Sequence, residues 1–404
     1  MSTLVPGRTE FAFCRERVEN FTIICYDRKK GVENMGNIFD YLTWRGDLTF
    51  TQDPPNAVDA LIFSTLTYVG YGEMAQRLPE TAATLRQCAE EFFRLENPES
   101  RVRSKKDMEL LRRAAATVRF GQCGLCLYQS LFLPEQETQF AAMTFLLDDG
   151  SMFLAYRGTD NSLVGWKEDF NMTFQQTIPA QRLAQEYIRE AALAHTAPMR
   201  VAGHSKGGNL AVFAAARCSP TVRQRILTVY NNDGPGFTKY MIGDPGYSAI
   251  VPRIQTYIPQ SSVIGMLLEH EEPFIVIRSK SVGIMQHDPY SWEVEGPSFL
   301  PVQEVTESSQ FLDATIKNWF SSMSNRERNQ LVEVLYGLLT TVEVENAADI
   351  FQPKNIRAYV KALSSDADTR HLLSTEFQGL LEAAKKARAS MGESKQLPAS
   401  ENDE

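Results

Sequence analysis

From Ala57 onward the spacing of apolar residues is helical. "AVDALIFSTLTYVGYGEMA" repeats them at three- and four-residue intervals, and Pro79 to about Arg119 continues as one or two charged amphipathic helices. The rhythm then changes. Two apolar runs, Phe140 to Leu147 and Met152 to Tyr156, flank Asp148-Asp149-Gly150, a hairpin signal. A helical stretch, "QRLAQEYIREAALAHT", leads to an apolar strand, "MRVAGHS", and at once to a further helix, "NLAVFAAARC". Three more candidate strands follow, "RILTVYNNDGPG", "RIQTYIP" and "FIVIRS". Strands alternating with helices predict an α/β fold with a mostly parallel sheet covered on both faces.

The flanks read differently. Residues 1–60 are aromatic and irregular, closing on the double proline Pro54-Pro55, which stops regular structure. The α/β domain is expected over 61–304, with a helical lead-in to about 120. A C-terminal helical region follows over 305–387, and 388–404 is polar enough to be disordered. A hydrophobic share of 43% with 23% charged residues supports a large buried core and excludes fibrous or disordered classes. The net charge of −9, without lysine- and arginine-rich runs, argues against a nucleic-acid partner. The N-terminus has no basic leader before an apolar core, and no run of about 18 apolar residues occurs later, so no integral membrane segment is expected and the default is a cytoplasmic protein. Cys123 and Cys126 form a CxxC with neither a second pair nor a nearby histidine pair, which favours buried thiols over a metal site.

Chemistry concentrates at "RVAGHSKGG". Ser205 stands between Gly203 and Gly207 in a Gly-x-Ser-x-Gly stretch that joins a strand to a helix, the context of a nucleophile elbow. Of five histidines, His204 adjoins the serine and reads as structural. His287, in a loop after "FIVIRS", has the place that the chain order serine, acid, histidine requires. Asp233 ends the first strand after the elbow helix and is the preferred acid, although its Asp-Gly pair also reads as a simple turn. Glu269, Glu271 and Asp288 are the other acids in range. Attack by a serine builds charge on a carbonyl oxygen, so two N–H donors are needed. The main-chain N–H of Lys206 is one candidate, and the strand end "YRGTD" offers the other at Thr159.

"YRGTD" followed by Trp166 and Asp169, then "GHSKGG" and "QHDPYSW", resembles the class 3 lipase arrangement, in which the residue after Arg-Gly supplies the second oxyanion donor. Together with "WRGDLTFTQDPPN", "QFAAMTF", "NNDGPGF" and "PQSSVIGMLLEH", these motifs are similar to the Mbeg-like family of bacterial proteins, from about Asn37 to Trp292. The resemblance implies an α/β-hydrolase fold and a serine hydrolase of carboxylic esters, acting on a small-molecule or lipid acyl ester without metal or organic cofactor. An acyltransferase, a thioesterase and a catalytically silent binding module remain as alternatives. One departure stands out. Where class 3 lipases carry the triad aspartate, this chain has Ser261 and Ser262. In the same comparison "DNSLVGW", Asp160 to Trp166, falls at the lid position and reads as a loop.

Overall fold

The computed structural model describes residues 35–160, 163–339 and 367–394. Eight strands form one sheet in chain order: β1 (Ala83–Thr84), β2 (Gly124–Leu133), β3 (Thr138–Leu146), β4 (Met152–Tyr156), β5 (Met199–His204), β6 (Ile226–Asn232), β7 (Ile254–Pro259) and β8 (Phe274–Ile277). The pairs from β1 to β4 are antiparallel and those from β4 to β8 are parallel. Among the described residues the helices of eight residues or more are α1 (Ile38–Arg45), α2 (Ala57–Leu66), α3 (Leu85–Phe92), α4 (Lys105–Ala116), α5 (Leu163–Asn171), α6 (Pro179–Ala194), α7 (Lys206–Arg217), α8 (Glu307–Ser322), α9 (Asn325–Leu339) and α10 (Ala367–Ser394).

Strand β4 shows how the sequence dictates the layers. Its side chains alternate between two buried clusters. Phe153 and Ala155 join the one containing α2 and α4, while Met152, Leu154 and Tyr156 join the one containing α6 and α7. A strand covered on both faces reads as an unbroken apolar run, as here. With its parallel sheet, helices on both faces and a strand–turn–helix at Ser205, the molecule has the α/β-hydrolase fold.

Two expectations about the flanks need correction. The stretch read as irregular to residue 60 contains α1. Asn37 and Asp40 close a capping box at its start, and Ile38, Tyr41 and Leu42 bury one face of only eight residues. The tail read as disordered from 388 is helical as far as Ser394, because α10 continues past the buried Ala383 and Ala387; residues 395–404 lie outside the described residues. Residues 1–34 lie outside them too.

In α2 the charge of buried Asp59 is compensated by Arg119, whose guanidinium forks onto it at 2.8 and 2.5 Å, and by the Tyr41 hydroxyl at 2.8 Å. Removing one partner of such a pair costs about 3–5 kcal/mol. The CxxC lies at the start of β2, and both thiols are buried and free. Cys123 Sγ faces the Arg119 carbonyl at 3.4 Å, and burial pushes the Cys126 thiol up to about 12. Among the described residues no helix is long and apolar enough to cross a membrane.

Candidate active site

Three backbones converge at the elbow. Strand β5 delivers His204, the chain turns at Ser205 with φ 59° and ψ −136°, and α7 begins at Lys206. A side chain at Gly203 would lie 2.0 Å from the Gly207 carbonyl group, and one at Gly207 would lie 2.2 Å from the Tyr156 carbonyl oxygen. Only glycine permits this approach. The Ser205 N–H donates to the Asn232 carbonyl at 3.0 Å, which ties the turn to the end of β6. A non-glycine residue at positive φ costs on the order of 1–3 kcal/mol and persists where its surroundings enforce it.

Asp233 follows β6, buried and also at positive φ, 54°. Its Oδ2 lies 2.6 Å from His287 Nδ1. Its Oδ1 accepts from Ser262 Oγ at 2.5 Å and from the Gly265 N–H at 3.2 Å. Ser262 is one of the two serines at the class 3 acid position, and its hydroxyl now orients the carboxylate that arrives from the preceding strand. Of the other acids, Glu269 and Glu271 are exposed, and Asp288 pairs with Lys106 at 2.8 Å.

His287 ends a short 3-10 turn, Gly283–His287, with a quarter of its side chain open to solvent. Its ring lies 4.7 Å from that of His204. His204 is buried, and burial first, then its neighbours His287 and Arg103, hold its pKa well below the usual imidazole value. It is therefore neutral. Its Nε2–H donates to the His287 carbonyl at 2.8 Å, and its Nδ1 accepts from the Tyr68 hydroxyl at 3.3 Å. With Nδ1–H of His287 donating to Asp233, Nε2 of His287 carries the free lone pair that a base requires. Ser205 Oγ has no hydrogen-bond partner among the described residues.

The strand-end loop after β4 passes directly over the elbow: a side chain at Gly158 would lie 2.5 Å from the His204 carbonyl oxygen and 3.0 Å from Ser205 Cβ. Thr159 follows. Its Oγ1 donates to Asp169 at 2.6 Å, and burial raises the Asp169 pKa to about 6. Lys206 opens α7, so its N–H has no acceptor within the helix. Its side chain forms a buried pair with Glu168 at 2.8 Å and donates to the Gln139 carbonyl at 3.0 Å. The "DNSLVGW" segment needs a correction, since helix α5 already begins at Leu163; Asn161 and Ser162 lie outside the described residues. A small cavity of about 60 Å³ opens beside Ser205, lined by Asp169, Met172, Pro235, Ile264 and Leu267 among others.

Sequence reasoning missed Ser262 as a partner of Asp233, Tyr68 behind His204, and Glu168 behind Lys206. Only Glu168 left a trace, a carboxylate beside the Asp169 of the family motif. Neither Ser262 nor Tyr68 stands in a local pattern that points to its partner.

No curated protein sequence matches the chain. Solved structures similar to it include the Rhizomucor miehei lipase propeptide complex, at 12% identity over 58% of this chain and 76% of that one, with a TM-score of 0.34. Lipase II from Rhizopus niveus is similar at 16% identity over 54% of this chain and 98% of that one, TM-score 0.33. A mutant form of MDLA from Penicillium cyclopium is similar at 13% identity over 62% and 88%, TM-score 0.36. The Mbeg1-like family model matches residues 114–337, more than half of the 404 residues. With that span matched, the chain belongs to the Mbeg1-like family.

Proposed function

We propose that this protein is a serine hydrolase that cleaves a carboxylic ester, of a small molecule or a lipid, through an acyl-enzyme. Ser205 Oγ attacks the carbonyl carbon while His287 Nε2 takes its proton. Asp233 holds the imidazole in the required tautomer and stabilises its charged form. The oxyanion faces the main-chain N–H groups of Thr159 and Lys206. Collapse expels the alcohol with the proton from His287, and water, activated by the same imidazole, releases the acid. The partial exposure of His287 favours water as the second acceptor.

One observation carries the reading: a buried carboxylate 2.6 Å from His287 Nδ1, just past the end of the strand beside an elbow serine. Ser205→Ala is expected to lower hydrolysis of short p-nitrophenyl esters by about 10⁴-fold or more, with an unchanged melting curve, since members of a triad act as a unit. Near-normal turnover in that variant would refute the assignment.

A further inference from the structure

A second cavity, of about 270 Å³, lies beyond the one at Ser205 and shares Thr173, Leu267 and Leu268 with it. Its other apolar walls are Phe237, Ile316 and Phe320, the last two from α8. Leu268 has φ 67°, a region that a leucine adopts only when forced. Its neighbours supply the force. The Gly236 N–H donates to the Leu267 carbonyl at 2.8 Å, and Phe237 and Glu269 exchange main-chain hydrogen bonds at 2.8 and 3.0 Å. Strain so enforced occurs at functional positions; Ser205 and Asp233 are also at positive φ, as are Leu127 in the bulge of β2 and Glu137 in the turn before β3. Of the three cations around the cavity, Lys317 is paired with Asp313 at 3.2 Å, Arg328 Nε donates to the Phe320 carbonyl at 2.9 Å, and Lys239 is exposed, as is Glu269, the one acid of the lining. Phe237, Leu267, Leu268, Ile316 and Phe320 supply its apolar walls.

We infer that this cavity is an acyl subsite, taking a single unbranched acyl chain whose carbonyl carbon stands at Ser205 and whose tail passes Leu268 to end under α8. The inference rests on the reading of Ser205 as the nucleophile. The volume is close to the ~300 Å³ at which small-molecule pockets begin, which suits one chain rather than a two-chain lipid. Helix α8, for which the sequence offers no chemistry, thereby sets chain length.

The test uses the full chain. Sodium octanoate is titrated calorimetrically into Ser205→Ala and into Ser205→Ala carrying Ile316→Trp, with melting curves as the control for folding. The ratio of kcat/KM for octanoyl over acetyl p-nitrophenyl esters is measured in protein with Ser205 intact. The expected results are binding that weakens at least tenfold in the tryptophan variant and a ratio that falls at least tenfold with it. Phe320→Ala, which enlarges the same space, is expected to move the preference toward the dodecanoyl ester. A folded Ile316→Trp protein with unchanged octanoate affinity and an unchanged ratio would overturn the subsite while leaving Ser205 in place. Octanoate binding that Ile316→Trp weakens, in a protein whose Ser205 resists phosphonate, would support the subsite and refute the nucleophile.

Discussion

With Asp233 as the proposed acid, the site departs from the class 3 pattern by one strand, and Ser262 accounts for how the departure is accommodated. A serine hydroxyl cannot balance an imidazolium, but it can donate to a carboxylate, and the 2.5 Å contact to Oδ1 leaves Oδ2 for His287. We predict that Asp233→Asn lowers kcat by about 10²–10⁴-fold, whereas Glu271→Gln, on an exposed side chain, stays within about twofold. Steady-state kinetics on one short ester compares the two. Asp169 makes a second prediction. Burial raises its carboxyl to about 6, above the ordinary aspartate value, so the folded protein holds that proton more tightly than the unfolded chain. Ionising it costs stability, and the cost develops as pH rises from about 4 to about 6 and is complete above that. Asp169→Asn is therefore expected to stabilise the protein at pH 7 by about 1–2 kcal/mol, less than the full shift because the side chain is partly exposed, and to leave it unchanged near pH 4. Urea unfolding at the two values decides. At this scale Ser205, His287 and Asp233 could be proposed from the sequence because each follows a strand. Ser262 and Tyr68 could not, because nothing in their local spacing points to Asp233 or His204.

The elements that were legible are those whose side-chain period is intact. Strands β4 to β8 and helices α6 and α7 read directly from apolar spacing. Strand β2 did not, for a physical reason. Its register shifts between Cys126 and Gln129, and Leu127 sits at φ 54°, so the bulge breaks the alternation by which a strand is recognised. Helix α1 was hidden by its brevity. The elbow is the element on which the site depends, and its glycines are fixed by contact rather than by flexibility. Gly203→Ala drives a methyl group into the Gly207 backbone at 2.0 Å, and we expect a loss of about 3 kcal/mol in thermal or denaturant unfolding.

Across the whole molecule the site is assembled from segments that are remote in the chain. Gly158 and Thr159 come from the end of β4, Ser205 from the elbow, Asp233 from the end of β6 and His287 from the turn after β8, with α8 closing the neighbouring cavity. The parallel sheet makes this possible, because its strands end on one edge and side chains leaving them meet there. The sequence conveyed that edge, since strand order and apolar runs imply it. It did not convey what α8 and α9 do, because their contacts depend on long-range packing, as in the pairing of Lys167 on α5 with Glu333 on α9 at 2.8 Å. On the proposed reading this edge activates Ser205 as a nucleophile. The most direct measurement is exposure of the folded full chain to a small fluorophosphonate, with the adduct located by peptide mass spectrometry. One adduct is expected, on Ser205, absent in Ser205→Ala and formed at least about 10²-fold more slowly in His287→Ala. Folded protein that takes no adduct, or takes it on another serine, would contradict the activation of Ser205.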